Sequence, residues 1–122
     1  MTIVSDLRYW IGFNIVSGIG PMRLRALIDY FGDIESAWHA PSAQLKYAGL
    51  DRRSVENFLA TRADLDLDRE LEKIAAAGVQ VLTWESARYP QLLYEIPAPP
   101  PVLYVKGTLT EEDGWAIAVV GT

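Results

Sequence analysis

The sequence predicts an α+β chain: helices through about residue 77, then strands that open an α/β sheet over residues 78–122. Three observations predict it. Before Gly78, apolar residues recur at helical spacing between glycine and proline breaks. From Val79 onward, β-branched and aromatic residues replace that pattern. Last, Ala116 to Val120 is apolar throughout and meets Gly121, as in a buried parallel-type strand entering a βα turn. On this reading the chain is the amino-terminal part of a longer protein, and residues 1–77 and 78–122 form two domains, the second cut short.

The elements follow in order. Leu7 to Val16 reads as an apolar helix capped by Ser5 or Asp6. Ser17-Gly18-Ile19-Gly20 breaks it, and Pro21 suits the first position of the next helix. Leu24, Leu27, Ile28 and Phe31 give that helix its apolar face, and Gly32 ends it. Asp33 caps a short helix through Trp38, and Pro41 opens another that ends near Ala48. Ala48-Gly49-Leu50-Asp51 is a second tight turn, with Asp51 capping a helix whose core residues are Val55, Phe58 and Leu59. The two helix–turn–helix units form a weak internal repeat. A longer helix spans roughly Leu65 to Ala77 and stops at Gly78. Val79 to Trp84 is a strand, Tyr89 to Tyr94 a turn or two of helix, and Val102 to Val105 a strand, with a turn at Lys106-Gly107. The run Pro97 to Pro101 is extended and serves as a rigid connector rather than a presented ligand. Trp115 to Val120 forms the last strand. The predicted helical core comprises Trp10, Phe13, Leu24, Leu27, Ile28, Trp38, Val55 and Phe58.

Composition narrows the function. Half the residues are hydrophobic and four are tryptophan, which supplies a core and argues against disorder. With no cysteine, disulfides and thiolate metal sites are excluded, in keeping with a cytoplasmic protein. The amino terminus does not read as a signal peptide, and no apolar stretch reaches bilayer length, so no membrane role is expected. The net charge of -5 argues against a general nucleic-acid grip. Its distribution is uneven: residues 1–60 carry six Lys/Arg and six Asp/Glu, whereas residues 61–122 carry five and ten. Any contact with phosphate therefore falls to the first half.

Gly18-Ile19-Gly20 resembles the turn of a helix-hairpin-helix motif. There the glycines permit positive φ and close backbone approach, the apolar residue locks the helices, and N–H groups at the next helix start hold a phosphate oxygen. Arg23 and Arg25 on the second helix add charge. The second copy keeps Gly49 but places Asp51 where phosphate would approach, partly offset by Lys46, Arg52 and Arg53. The candidate DNA-contacting set is thus Gly18, Gly20, Arg23, Arg25, Arg52 and Arg53. The competing reading is a plain packing unit or protein-contact module. His39 reads as an exposed helix-end residue. Asp64, Asp66, Asp68, Glu70 and Glu72 spread around a solvated helix rather than converge on a metal. No nucleophile–base pair stands out, no cofactor is implied, and Gly121 alone falls short of a dinucleotide fingerprint.

From Tyr89 a longer pattern emerges: Tyr89-Pro90, Leu92-Leu93, Ile96, then Pro101-Val102-Leu103-Tyr104-Val105-Lys106-Gly107, then Ile117 to Thr122. This order resembles the DprA/Smf family of DNA-processing proteins. Gly18-Ile19-Gly20-Pro21 through Leu27, Tyr30-Phe31-Gly32 and Trp38 are similar to that family's amino-terminal helical domain. The resemblance implies a helix-hairpin-helix or sterile-alpha-motif-like domain followed by a Rossmann-like domain. It implies a non-enzymatic protein that binds single-stranded DNA during natural transformation, protects it and helps load RecA. Gly121 and Thr122 would then stand at the edge of the family's DNA pocket, most of which, like its RecA and dimer surfaces, falls outside this sequence. The rival reading is a helical protein-interaction module with no DNA role of its own. A nucleotide-dependent enzyme rests only on the strand–glycine ending. The apolar last strand is expected to pair with the earlier strands or with another copy, which would make a homo-oligomer.

Overall fold

The structure, a computed structural model, describes residues 6–106 and 118–119. Six helices come first: α1 (Leu7–Ile15), α2 (Pro21–Phe31), α3 (Ile34–Trp38), α4 (Ser42–Tyr47), α5 (Arg52–Asp64) and α6 (Leu67–Ala76). Then come β1 (Val79–Thr83), α7 (Gln91–Tyr94), β2 (Val102–Lys106) and β3 (Ala118–Val119).

Carboxylates start four of the helices. Asp6, Asp33, Asp51 and Asp66 each accept from a backbone N–H of the first turn of α1, α3, α5 and α6. Asp66 explains why α6 begins at Leu67 rather than at Leu65: Leu65 is instead the C-cap of α5, with extended backbone. Arg8 then bridges Asp6 and Asp68 at 2.7 Å each, tying the start of α1 to that of α6.

The core forms around α1, in which Tyr9 through Phe13 are all buried. Phe13, Trp38 and Phe58 meet with ring centroids 5.1 Å apart in each pair. Gly12 makes this possible. A Cβ there would stand 2.7 Å from two atoms of the Trp38 ring and 3.0 Å from Leu67. Arg62 closes the cluster from above, donating to the Trp38 and Ala40 carbonyls at 2.8 Å, its guanidinium 5.1 Å from the Phe58 ring centre. Of the predicted core residues Ile28 and Leu59 are only partly buried; both pack against the cluster.

The sheet has the order β1-β2-β3 and both pairings are antiparallel, with Val81 opposite Tyr104 and Val105 opposite Val119. This corrects the parallel-type last strand. Only residues 107–117 separate β2 from β3 in the chain, too few for the helical crossover that parallel neighbours need. The expected pairing with an earlier strand is present for Ala118 and Val119; the rest of Trp115 to Val120 lies outside the described residues. Strand β2 also reaches Lys106, where a turn was expected, and β1 stops at Thr83.

Side chains of β2 alternate between two clusters, as a strand's period of two requires. Val102 and Tyr104 join the helical core, while Leu103 and Val105 pack with Leu82 and Tyr89 on the other side. Tyr89 donates to the Pro100 carbonyl at 2.6 Å, and Pro99 and Pro101 are buried. The second half of the proline run is therefore packed inward, while Pro97 and Ala98 are exposed.

Two substitutions test this packing. Gly12→Ala should destabilise the chain by about 1–3 kcal/mol through overpacking against Trp38. Phe58→Ala should cost about 3–5 kcal/mol through the cavity left behind. Both are read by denaturant unfolding, and a Gly12→Ala variant as stable as wild type would mean that Trp38 has room to move.

Candidate nucleic-acid interface

The two hairpin turns repeat each other in backbone and burial. Gly18 has φ 95° and Gly49 φ 114°, a region other residues rarely adopt. Each is followed by a buried apolar residue, Ile19 or Leu50, and then by an extended N-cap, Gly20 or Asp51. The internal repeat read from the sequence is thus present in the two turns, between α1 and α2 and between α4 and α5.

The turns also face each other. Arg23 stands three residues after Gly20, and Ser54 three after Asp51, so they occupy matching places in α2 and α5. They meet: Arg23 Nη1 donates to Ser54 Oγ at 2.6 Å and to the Gly18 carbonyl at 2.8 Å. Ser54 Oγ also reaches the Gly18 carbonyl at 3.2 Å, and Asn57 Nδ2 donates to the Ser17 carbonyl at 3.3 Å. Arg23 Nη2 lies 3.7 Å from Asp51. Ser54, through its hydroxyl and its backbone N–H, holds the Asp51 carboxyl below the usual carboxylate range. Between α2 and the second turn lies a shallow hollow of about 140 Å³ lined by Met22, Ala26 and Gly49.

The structure brings some predicted contact residues together and separates others. Gly18, Gly20, Arg23 and the start of α5 share one surface. Arg23, however, spends its donors on joining the two turns. Arg25 points elsewhere: its guanidinium lies 4.2 Å from the Trp84 ring centre and donates to Tyr94 Oη at 3.2 Å. It therefore fastens α2 to the strand-bearing part of the chain. Arg52 pairs with Glu56 at 3.1 Å on an exposed helix face. Arg53 is exposed near Asp51. Gly121 and Thr122 lie outside the described residues. Gly20 corrects one detail of the motif reading: its φ is -85°, ordinary for any residue, and a Cβ would meet nothing within 4 Å. The positive φ resides at Gly18 alone in this turn.

Sequence reasoning missed Ser54, Asn57, Trp84 and Tyr94. The signal for Ser54 was the matching three-residue offset from each N-cap. For Trp84 and Tyr94 no local signal exists, since Arg25 reaches them across the fold.

Three carboxylates at the start of α6 have partners within the chain. Asp66 caps the helix, Asp68 pairs with Arg8 and Glu70 with Lys73. Among the described residues no group of His, Cys, Asp and Glu side chains is placed to hold a metal ion. No helix among them is long and apolar enough to cross a membrane. His39 is exposed at the end of α3, with Nε2 3.4 Å from Tyr9 Oη.

Comparison with known proteins places this geometry. The family model described as DNA recombination-mediator protein A matches residues 80–122, from β1 onward. Protein Smf of Synechocystis sp. is 35% identical over 123 residues, an alignment that takes in 97% of this chain. The chain matches the DprA/Smf DNA-processing family over most of its length. It spans about a third, 31%, of the length of the Synechocystis relative. The helical half is matched through the relative, while the strand-bearing half is matched by both.

The two turn glycines should respond differently to substitution. Gly18→Ala should destabilise by about 1–2 kcal/mol, because of its φ; a Cβ there would also stand 3.0 Å from Ser54 Oγ. Gly20→Asp should be neutral or stabilise by a few tenths of a kcal/mol, since aspartate is a better N-cap. Thermal unfolding of the two variants checks this, and equal losses at both positions would contradict it.

Proposed function

We propose that this chain is part of a single-stranded-DNA-binding protein that protects incoming DNA and helps load RecA in natural transformation. The observation that carries the reading is the family match over most of the chain. The Tyr89-Pro90 to Gly107 pattern and the Val120-Gly121-Thr122 ending fall inside the stretch that the family model covers. On this reading residues 1–77 are a helix-hairpin-helix, SAM-like domain, and residues 78–122 open a Rossmann-like domain. Gly121 and Thr122 stand at the edge of its DNA pocket. The protein is cytoplasmic and non-catalytic, and its main DNA grip and its RecA contact lie in the longer parent.

A second reading is favoured by a specific observation: the helical half is an interaction module without a DNA grip of its own. Arg23, Arg25 and Arg52 already hold partners within the chain, and the cations of residues 1–60 are balanced by equal acid. Few counterions would be released on binding a phosphate backbone.

Titration of labelled oligo-dT at low and moderate salt separates the two. The 122-residue chain should bind weakly and lose that binding as salt rises, with any residual affinity depending on Arg53. The longer parent should bind tightly. Submicromolar affinity of this chain at moderate salt would overturn the interaction-module reading, and a parent that fails to bind would overturn the first.

A further inference from the structure

Helix α6 runs from Leu67 to Ala76 with no residue fully buried. Asp66, Arg69, Glu70 and Lys73 all line one open cleft of about 530 Å³ that α6 shares with α5. Their spacing of three, four and seven residues from Asp66 puts them on one face of the helix. Ile15, 43% exposed, and half-buried Leu65 supply apolar surface to the same cleft.

Along this face the charges run acid, base, acid, base. Within a single helix that order is poorly satisfied. Asp66 with Glu70, and Arg69 with Lys73, are like charges four residues apart, which disfavour a helix. Of the four side chains, only Glu70 and Lys73 form an ion pair among the described residues, at 3.3 Å. Arg69 is exposed. Reversed, however, the order is complementary to itself. Let a second α6 lie antiparallel about a two-fold axis passing between residues 69 and 70. Asp66 then faces Lys73 of the second copy, and Arg69 faces its Glu70. Symmetry repeats both pairs, as an isologous interface requires. The opposed helix dipoles also lie side by side.

We propose that this face of α6 is a self-association surface, on which a second copy of the chain packs its own α6 antiparallel. Four ion pairs form at once, and Ile15 and Leu65 gain apolar cover. Exposed ion pairs are individually weak, and Asp64, which also lines the cleft, stands outside the match. The dimer is therefore a weak one. The inference goes beyond the proposed function, for it needs neither DNA nor RecA. The surface also differs from the β3 edge and from the family's dimer surface, which the resemblance puts outside this sequence.

Sedimentation equilibrium of the 122-residue chain at low salt tests it. Wild type should show a monomer–dimer equilibrium with a dissociation constant on the order of 100 μM. Arg69→Glu and Glu70→Arg should each weaken it about twentyfold or more, because each reverses both copies of one pair. Mixed in equal amounts, the two variants should associate again, since each supplies the charge that the other lacks. The double variant R69E/E70R should dimerise like wild type. Circular dichroism checks that every variant is folded. A wild type that stays monomeric at millimolar concentration would overturn the proposal. So would folded single variants that dimerise as wild type does, or a mixture of the two that stays monomeric.

Discussion

The fold depends on one close approach, that of the Trp38 ring to the backbone of α1 at Gly12. A surface helix normally hides one stripe. Here α1 is buried along Tyr9 to Phe13, so partners must reach it from several directions. α3 delivers Trp38, α5 delivers Phe58, α6 lies alongside through Leu67, and β2 contributes Val102. Only a residue without a side chain lets the bulky indole come flush against the helix. The remaining helices are short, and their stability derives from this packing and from their caps more than from length.

The same helix joins the parts that the sequence divides at Gly78. Val102 belongs to the helical core, and Asn14 Nδ2 donates to Tyr104 Oη at 3.4 Å. Arg25 adds a cationic clasp to Trp84 and Tyr94. Such contacts explain why an arginine that looks free in the sequence has partners within the fold. They also explain why β2 is apolar on alternate faces: it serves the helices on one and Leu82 and Tyr89 on the other.

Much of the helical part was legible because its punctuation is local. Asp33, Asp51, Pro21 and Gly32 act within their own turns, and their effects can be read from neighbouring residues. The α6 boundary was misjudged because the helical pattern runs on through Leu65, whereas Leu65 is the extended C-cap of α5 and the Asp66 carboxylate starts α6. The wiring of Arg23 and Arg25 was not legible, since their partners lie 31 and 69 residues away. The direction of β3 was misread from its composition. A run apolar on both faces signals burial, and burial alone does not specify the orientation of the neighbour.

The span from Asn14 to Tyr104, 90 residues, also sets a schedule during synthesis. α1 leaves the ribosome early, and one side of it has no permanent cover until β2 emerges. At about 5–20 residues per second, that interval is roughly 5–20 s. For that time an apolar helix containing Trp10, Ile11 and Phe13 waits in a nascent chain, a natural client for whatever shields hydrophobic segments at the exit tunnel.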